Sequence, residues 1–209
     1  QKDNLFEVLV NSAGSEGNPY QIASAEDLRS ISDLGTDKHY IQTADIDLSG
    51  YANWEPIENF TGKYDGNGFE IRNLSINKEG DYAGLFGKIS GGTVENLKIT
   101  GAVVKGQKYV GILAGRVENC SKVKGCSVSG DVTSTATGDT YVGGLIGEMA
   151  YQTTEVSDSF SSGTVTASGS YIGGLIGSNR PDGGSGGRIV RCFSNSTVRG
   201  EGLYIGGLV

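Results

Sequence analysis

The strongest constraint on this chain is a phrase that it repeats. The phrase closes five times, as Asp81-Tyr-Ala-Gly-Leu-Phe-Gly87, Tyr109-Val-Gly-Ile-Leu-Ala-Gly115, Tyr141-Val-Gly-Gly-Leu-Ile-Gly147, Tyr171-Ile-Gly-Gly-Leu-Ile-Gly177 and Tyr204-Ile-Gly-Gly-Leu-Val209. A unit of roughly 30 residues that recurs along a sequence cannot bury an apolar face alone, so it reads as one turn of a solenoid whose neighbours complete its core. Function is then expected on the outside of the coil.

A second phrase precedes each closing one: Ile71-Arg-Asn-Leu-Ser-Ile76, Val94-Glu-Asn-Leu-Lys-Ile99, Val123-Lys-Gly-Cys-Ser-Val128, Val156-Ser-Asp-Ser-Phe-Ser161 and Ile189-Val-Arg-Cys-Phe-Ser194, with first residues 23, 29, 33 and 33 apart. Val103, Val132, Val165 and Val198 keep the steps of 29, 33 and 33, which implies a joining segment of constant length. Apolar and β-branched residues alternate in these pieces, while Gly and Ser punctuate their ends, as strands require. The expected fold is all-β: a right-handed parallel β-helix of about five to six turns with an N-terminal α-helical cap, the hand following the parallel-crossover rule. Stacking at about 4.8 Å per turn gives a rod on the order of 24 Å over five turns.

Such a coil places like on like. Ile71, Val94, Val123, Val156 and Ile189 are expected to form one inner ladder, and Leu85, Leu113, Leu145, Leu175 and Leu208 another. Two further inward columns, Leu74, Leu97, Cys126, Ser159, Cys192 and Ile76, Ile99, Val128, Ser161, Ser194, become smaller and more polar toward the C-terminus. The paired glycines at 143–144, 173–174 and 206–207 read as tight corners where a side chain would strike the next turn. After each closing phrase the connection lengthens, from Lys88–Thr93 to Ser178–Arg188, marking the edge with most freedom to acquire a binding role.

The organisation expected is a flexible arm over residues 1–17, a cap with a short helix and an irregular first turn over 18–70, and the repeats over 71–209. Ser24-Ala-Glu-Asp27 has the capping-box form and opens a helix with Leu28, Ile31 and Leu34 on one side, ending at Gly35. Such a helix would cover an open solenoid end.

Composition narrows the partners. Lys and Arg number 17 against 24 Asp and Glu, a net charge of −7 with no basic cluster, so nucleic acid is not an expected partner. No apolar run approaches the roughly 20 residues that cross a bilayer, so this segment is not expected to insert in a membrane. The first residues lack the features of a secretion signal, which would have been removed already. Three cysteines without metal-ligand spacing, Cys120, Cys126 and Cys192, read as buried thiols; a local Cys120–Cys126 pair is the alternative.

The closing signature Gly-Leu-x-Gly, at Gly84-Leu-Phe-Gly87, Gly144-Leu-Ile-Gly147 and Gly174-Leu-Ile-Gly177, resembles the GLUG-motif repeats of bacterial surface and secreted proteins. The resemblance extends through Asn18-Pro-Tyr-Gln-Ile22, Ala44-Asp-Ile-Asp-Leu48, Trp54-Glu-Pro-Ile57 and Tyr64-Asp-Gly-Asn-Gly68. It implies an extracellular, adhesin-like module or a non-catalytic region of an immunoglobulin A peptidase, part of a larger chain, and it carries no catalytic residue. Ile112 departs from the pattern where later copies have Gly144 and Gly174, and no glycine follows Val209.

Candidate sites are few. With His39 alone, no paired-histidine zinc centre is expected, and neither a cofactor nor enzymatic activity. Asp45, Asp47 and Asp65 offer calcium-type oxygens, although turns and strand caps explain them equally well. Pro181-Asp-Gly-Gly-Ser-Gly-Gly187 resembles a calcium-binding nonapeptide only superficially, because it occurs once. Glu55, Asp65 and Glu70 are the carboxylates that an enzyme of acidic polysaccharides on this fold would use. In the outward column Lys98, Ser127, Phe160, Phe193 the two phenylalanines should lie on adjacent turns, either holding a sugar face or a protein, or covered by the loop from Ser178. Tyr109, Tyr141, Tyr171 and Tyr204 are expected to stack with their hydroxyls at the surface. The function expected is a non-enzymatic extracellular module for adhesion, presentation or spacing, with host protein or glycan as its partners; the alternatives are a carbohydrate-active enzyme or glycan-binding module, or an accessory region of a secreted peptidase.

Overall fold

A computed structural model describes residues 13–151, 154–179 and 186–209. Residues 1–12 of the arm and most of the segment from Pro181 to Gly187 lie outside the described residues. Within them the chain forms a β-solenoid of about five turns in which every strand pairing between named strands is parallel.

Each full turn visits four sheets. The first holds seven strands, Tyr20–Ile22, His39–Gln42, Lys63–Asp65, Thr93–Glu95, Lys122–Lys124, Glu155–Ser157 and Arg188–Val190. The second runs through Ile46–Asp47, Glu70–Arg72, Lys98–Gly106, Ser127–Ser134, Phe160–Ala167 and Phe193–Gly200, with Ser75–Asn77 paired to the far half of Lys98–Gly106. The third stacks Tyr109–Val110, Asp139–Gly143, Ser170–Gly173 and Ile205–Gly206, and the fourth Phe86–Ser90, Ala114–Glu118, Ile146–Met149 and Ile176–Asn179.

The corner between the first two sheets is made the same way on successive turns. Asn67, Asn96, Gly125, Asp158 and Arg191 all take positive φ there, between 51° and 62°. Asn and Gly tolerate this conformation best, and a short polar side chain can hydrogen-bond locally. Two residues past the strand, Cys126 Sγ donates to the Lys124 carbonyl, Ser159 Oγ to Ser157 and Cys192 Sγ to Val190, so a small X–H group recurs where each corner leaves a carbonyl free.

Between the third and fourth sheets the Gly-Leu-x-Gly phrase is a backbone-on-backbone fold. A Cβ on Gly143 would sit 2.6 Å from the Gly177 nitrogen, one on Gly147 2.6 Å from the Val110 nitrogen, and one on Gly115 2.6 Å from the Tyr82 Cα. Glycine is what lets the two arms touch. The leucines between them form the ladder expected: Leu113 N donates to Leu145 O, Leu145 N to Leu175 O and Leu175 N to Leu208 O, and Leu85, Leu113, Leu145 and Leu175 are fully buried. Ile112 is also buried at the corner position where later turns have glycine.

The structure corrects four columns at their N-terminal ends. Val94 stacks on Tyr64, not Ile71, in a ladder that continues to Tyr40 and Tyr20. Ile71 instead pairs with Ile99, and Ile76 with Val104; because Ser75 pairs with Val103, Leu74 lies beside Ala102 and not Leu97. The inner valine column is Val104, Val132, Val165 and Val198, leaving Val103 43% exposed. The cause is one extra residue: Val128 pairs with Ile99 but Gly130 with Ala102, and the intervening Gly101 takes φ +62°. A glycine bulge of this kind shifts register by one and flips the faces beyond it, which a count of valines does not see.

The helix Ala25–Leu34 fills the interval between the first two strands of sheet one, where later turns make sheets two to four. Ser24 Oγ accepts from Asp27 N at 3.1 Å, and Gly35 closes the helix through Ile31 O. Ala25, Leu28 and Ile31 are buried, whereas Leu34 is 40% exposed and does not join that face. Ahead of it, Gly14 O accepts from His39 N, so the last residues assigned to the arm are tied to the second turn.

Candidate functional site

The two outer columns of sheet two lie as the alternation predicts. Lys98, Ser127, Phe160 and Phe193 pair in register, and two residues on, Ser129, Ser162 and Asn195 form the next outward column. The Phe160 and Phe193 rings stack with centroids 5.0 Å apart and planes 5° from parallel. They are 37% and 57% exposed, and thus open to solvent among the described residues.

Four of the five carboxylates singled out in the sequence, Asp45, Asp47, Asp65 and Glu70, are bound into the scaffold, and Asp45 and Glu70 meet at Arg72. Asp45 accepts from Glu70 N at 3.0 Å and pairs with Arg72 at 3.3 Å. Asp47 accepts from Ser49 N and Asn73 Nδ2, the Asn73 bond chiefly holding its carboxyl below the usual range. Asp65 caps its own turn through Asn67 N at 2.8 Å and accepts from Asn96 Nδ2 on the next turn at 3.0 Å. Glu70 accepts from Thr100 Oγ1 and faces Lys98 at 3.5 Å. Glu55 borders a separate small pocket beside Arg29, Tyr51, Asn53 and Trp54. His39 borders another of about 140 Å³, with Lys63 and Asp65. Among the described residues no three His, Cys, Asp or Glu side chains converge as metal ligands would.

The tyrosine ladder is one ring longer than the sequence suggests. Tyr82, Tyr109, Tyr141, Tyr171 and Tyr204 stack in succession at 4.7, 5.1, 5.1 and 4.9 Å. Burial pushes the Tyr109 phenol up to about 12, so its hydroxyl is not simply at the surface, and Tyr141 is only 8% exposed. Cations border the rings: Lys88 lies over Tyr82 at 5.1 Å, and Lys108 and Arg116 over Tyr109 at 5.3 and 5.7 Å.

Beside this ladder is a charge cluster that the sequence reading missed. Arg116 Nε lies 3.0 Å from both Glu118 Oε2 and Glu148 Oε2, and Lys88 is 3.7 Å from Glu118 Oε1. Lys88, Arg116, Glu148 and Ser178 occupy one register position on four turns of sheet four. They were hidden because everything after the closing glycine reads as connection; in fact the strands continue to Ser90, Glu118, Met149 and Asn179. The signal was available in the alternation Phe86-Gly-Lys-Ile89, Ala114-Gly-Arg-Val117 and Ile146-Gly-Glu-Met149. After each closing phrase the connection proper is thus residues 91–92, 119–121, 150–154 and 180–187.

None of the three cysteines is in a disulfide. Cys126 is fully buried with its thiol pushed up to about 12 by desolvation, Cys192 is half-buried, and Cys120 is exposed, so the buried reading fails for Cys120.

No helix among the described residues is long and apolar enough to cross a membrane. No family model matches the chain. It is 38% identical over 153 residues to halomucin of Haloquadratum walsbyi, a match covering 64% of this chain and 2% of halomucin. Among solved structures it is similar to a protein of Bacteroides ovatus assigned as an immunoglobulin A1 protease, with TM-score 0.67 and 21% identity over 90% of this chain and 69% of that one. A second, an IgA1 protease, gives TM-score 0.51 and 16% identity over 91% of this chain and 20% of that one. Identity this low shows shared fold alone. The chain spans about 2% of the length of its curated relative, and what it shares with the structures is the coil.

Proposed function

We propose that this chain is a non-enzymatic, extracellular β-helix module of a larger surface or secreted protein, one that extends or presents its neighbours and contacts host protein or glycan through its outer face. One observation carries the reading: of the three carboxylates that an enzyme on this fold would use, Glu55, Asp65 and Glu70, the last two already cap a turn or engage a cation of the neighbouring coil, and Glu55 lies at a separate pocket. A group that holds two coils together is a poor general acid or base, since moving its proton weakens the scaffold. The small share of halomucin and of an IgA1 protease that the chain matches supports a module within a longer polypeptide. Immunoglobulin A1, the substrate in that protease's name, is a secreted antibody, and this supports an extracellular setting. The GLUG-like motifs support the adhesin-type role.

The test is incubation of the purified module with polygalacturonate, hyaluronan and immunoglobulin A1, followed by product analysis, alongside capture of the last two on a surface bearing the module. Unchanged substrates are expected, with retention of one of them. Turnover that disappears in Asp65→Asn would overturn the non-enzymatic reading.

A further inference from the structure

The stack of Phe160 on Phe193 consumes one face of each ring. The other face of Phe160 looks toward the preceding turn, where its register partner is Ser127. A serine is too short to cover a phenyl ring. The next member of the column that projects far from the sheet is Lys98, two turns from Phe160. At about 4.8 Å per turn the interval from Phe160 to Lys98 is about 10 Å, and only the Ser127 side chain rises from its floor. Subtracting the thickness of the phenyl ring leaves a notch as wide as one saturated six-membered ring.

The notch borders are polar and positive. Ser129 and Ser162 flank it as hydroxyls in the neighbouring outward column. On the acidic side, Glu70 is engaged by Lys98, Arg72 and Thr100, and Asp158 by both arms of Arg191 at 2.5 and 2.8 Å. Lys124, three residues before Ser127, is exposed and makes no ion pair among the described residues. Asp158, already held by Arg191, is the acid that feels Lys124, so an acidic chain with a net charge of −7 presents here an exposed cation outside any ion pair among the described residues.

We infer that the notch over Ser127, walled by Phe160 and rimmed by Lys98 and Lys124, binds a carboxylate-bearing pyranose, a uronic acid unit of an acidic glycan. The axial C–H groups of the sugar lie against the electron-rich ring face, and the carboxylate reaches the ammonium rim. A neutral sugar would gain only the first contact, and an aromatic or apolar peptide side chain would leave the cation unanswered. The inference rests on the binding reading above and names its ligand class.

The test uses the whole 209-residue chain with tetragalacturonate, a hyaluronan hexasaccharide and a neutral galactan tetramer, read by calorimetry and by saturation transfer in NMR. At least one acidic oligomer is expected to bind more tightly than the neutral one, by tenfold or more at low salt, with affinity falling as salt is added. Phe160→Ala should lose that binding. Ser127→Phe is the sharper variant, because a third ring extends the existing stack and fills the notch; it should keep the thermal midpoint and lose the sugar. Lys124→Gln should weaken the acidic oligomer and leave the neutral one unchanged. The notch assignment is overturned if neither acidic oligomer binds, if the galactan binds equally well, or if Ser127→Phe binds like the parent. Product analysis of the same samples separates this failure from that of the non-enzymatic reading, which only turnover would sink.

Discussion

The N-terminal and C-terminal turns follow one path with opposite fillings. In the early turns the interior is aromatic: Tyr40, Phe60, Tyr64 and Phe86 are fully buried, with Phe60 and Phe86 centroids 4.9 Å apart and Tyr64 set edge-on to Phe86 at 5.9 Å. In the late turns those columns turn aliphatic, with Val156, Ile176 and Met149, while the neighbouring columns of Leu97 and Ile99 end in Ser159 and Cys192 and in Ser161 and Ser194. There the corner backbone closes onto sheet two, and Ser161 Oγ donates to the Gly174 carbonyl at 2.7 Å and contacts Ser194 Oγ at 3.1 Å. Geometry is therefore held by the corners, the positive-φ turn and the glycine fold, while the filling is free to change so long as buried polar groups are bonded. A wide turn filled by rings and a narrow turn closed by hydroxyls are two solutions to the same stacking problem.

Truncating the aromatic filling should do the most damage. Phe60→Ala removes a ring packed between Tyr40 and Phe86, and the surrounding strands cannot collapse without breaking their ladders. A loss of roughly 3–5 kcal/mol is expected. Denaturant unfolding would check it; a loss under about 1 kcal/mol would mean that the early turns are as adaptable as the late ones.

Midway along the rod, the cluster around Arg116 joins three turns through Lys88, Arg116 and Glu148. Arg116→Met leaves Glu118 and Glu148, 9% and 7% exposed, as neighbouring acids without the guanidinium between them. The expected cost is roughly 3 kcal/mol. Adding Glu148→Gln should restore part of it, because the charge conflict and not the lost side chain is the larger effect. Equal stability of the single and double variants would show the cluster to be incidental.

In the late turns the corresponding change is smaller. Ser161→Ala deletes one buried donor and leaves the Gly174 carbonyl with its bond from Gly144 N at 3.2 Å, so about 1 kcal/mol is expected. Thermal unfolding of Ser161→Ala beside Phe60→Ala tests the contrast between the two fillings directly, and a larger effect at Ser161 would reverse it.

The C-terminal columns were legible in the sequence because their spacing is uniform and each inward residue has a like neighbour one period away. Val123, Val156 and Ile189, the leucine ladder and the paired rings all fall where the period puts them. The early turns were misaligned because Tyr64, not Ile71, is the partner of Val94, and nothing apolar and aliphatic marks a tyrosine as the predecessor of a valine. The bulge at Gly101 was invisible for a different reason. It moves the partner of Val132 from Val103 to Val104, a step of 28 in place of 29, and only the backbone decides between these two adjacent valines. The outward phenylalanines were found by alternation alone, whereas the charge cluster in sheet four was overlooked where strand was taken for loop.

The smallest difference between the two ends lies at low pH. Asp47 in the early turns is held below its ordinary 3.8 mainly by Asn73, and Asp158 in the late turns by Arg191. A carboxylate whose folded pKa is depressed contributes stability that is fully present above its unfolded pKa and is lost as pH falls through the folded value. Acidification from pH 4 toward 2 should therefore loosen both ends, with each contribution small because both groups are exposed. Asp158→Asn should flatten the acid limb of the stability curve while leaving the Asp47 part, and Asp47→Asn should do the converse. Hydrogen exchange measured turn by turn would place the loss, and an unchanged acid limb in both variants would show that the intervening corners, not these pairs, hold the coils in register.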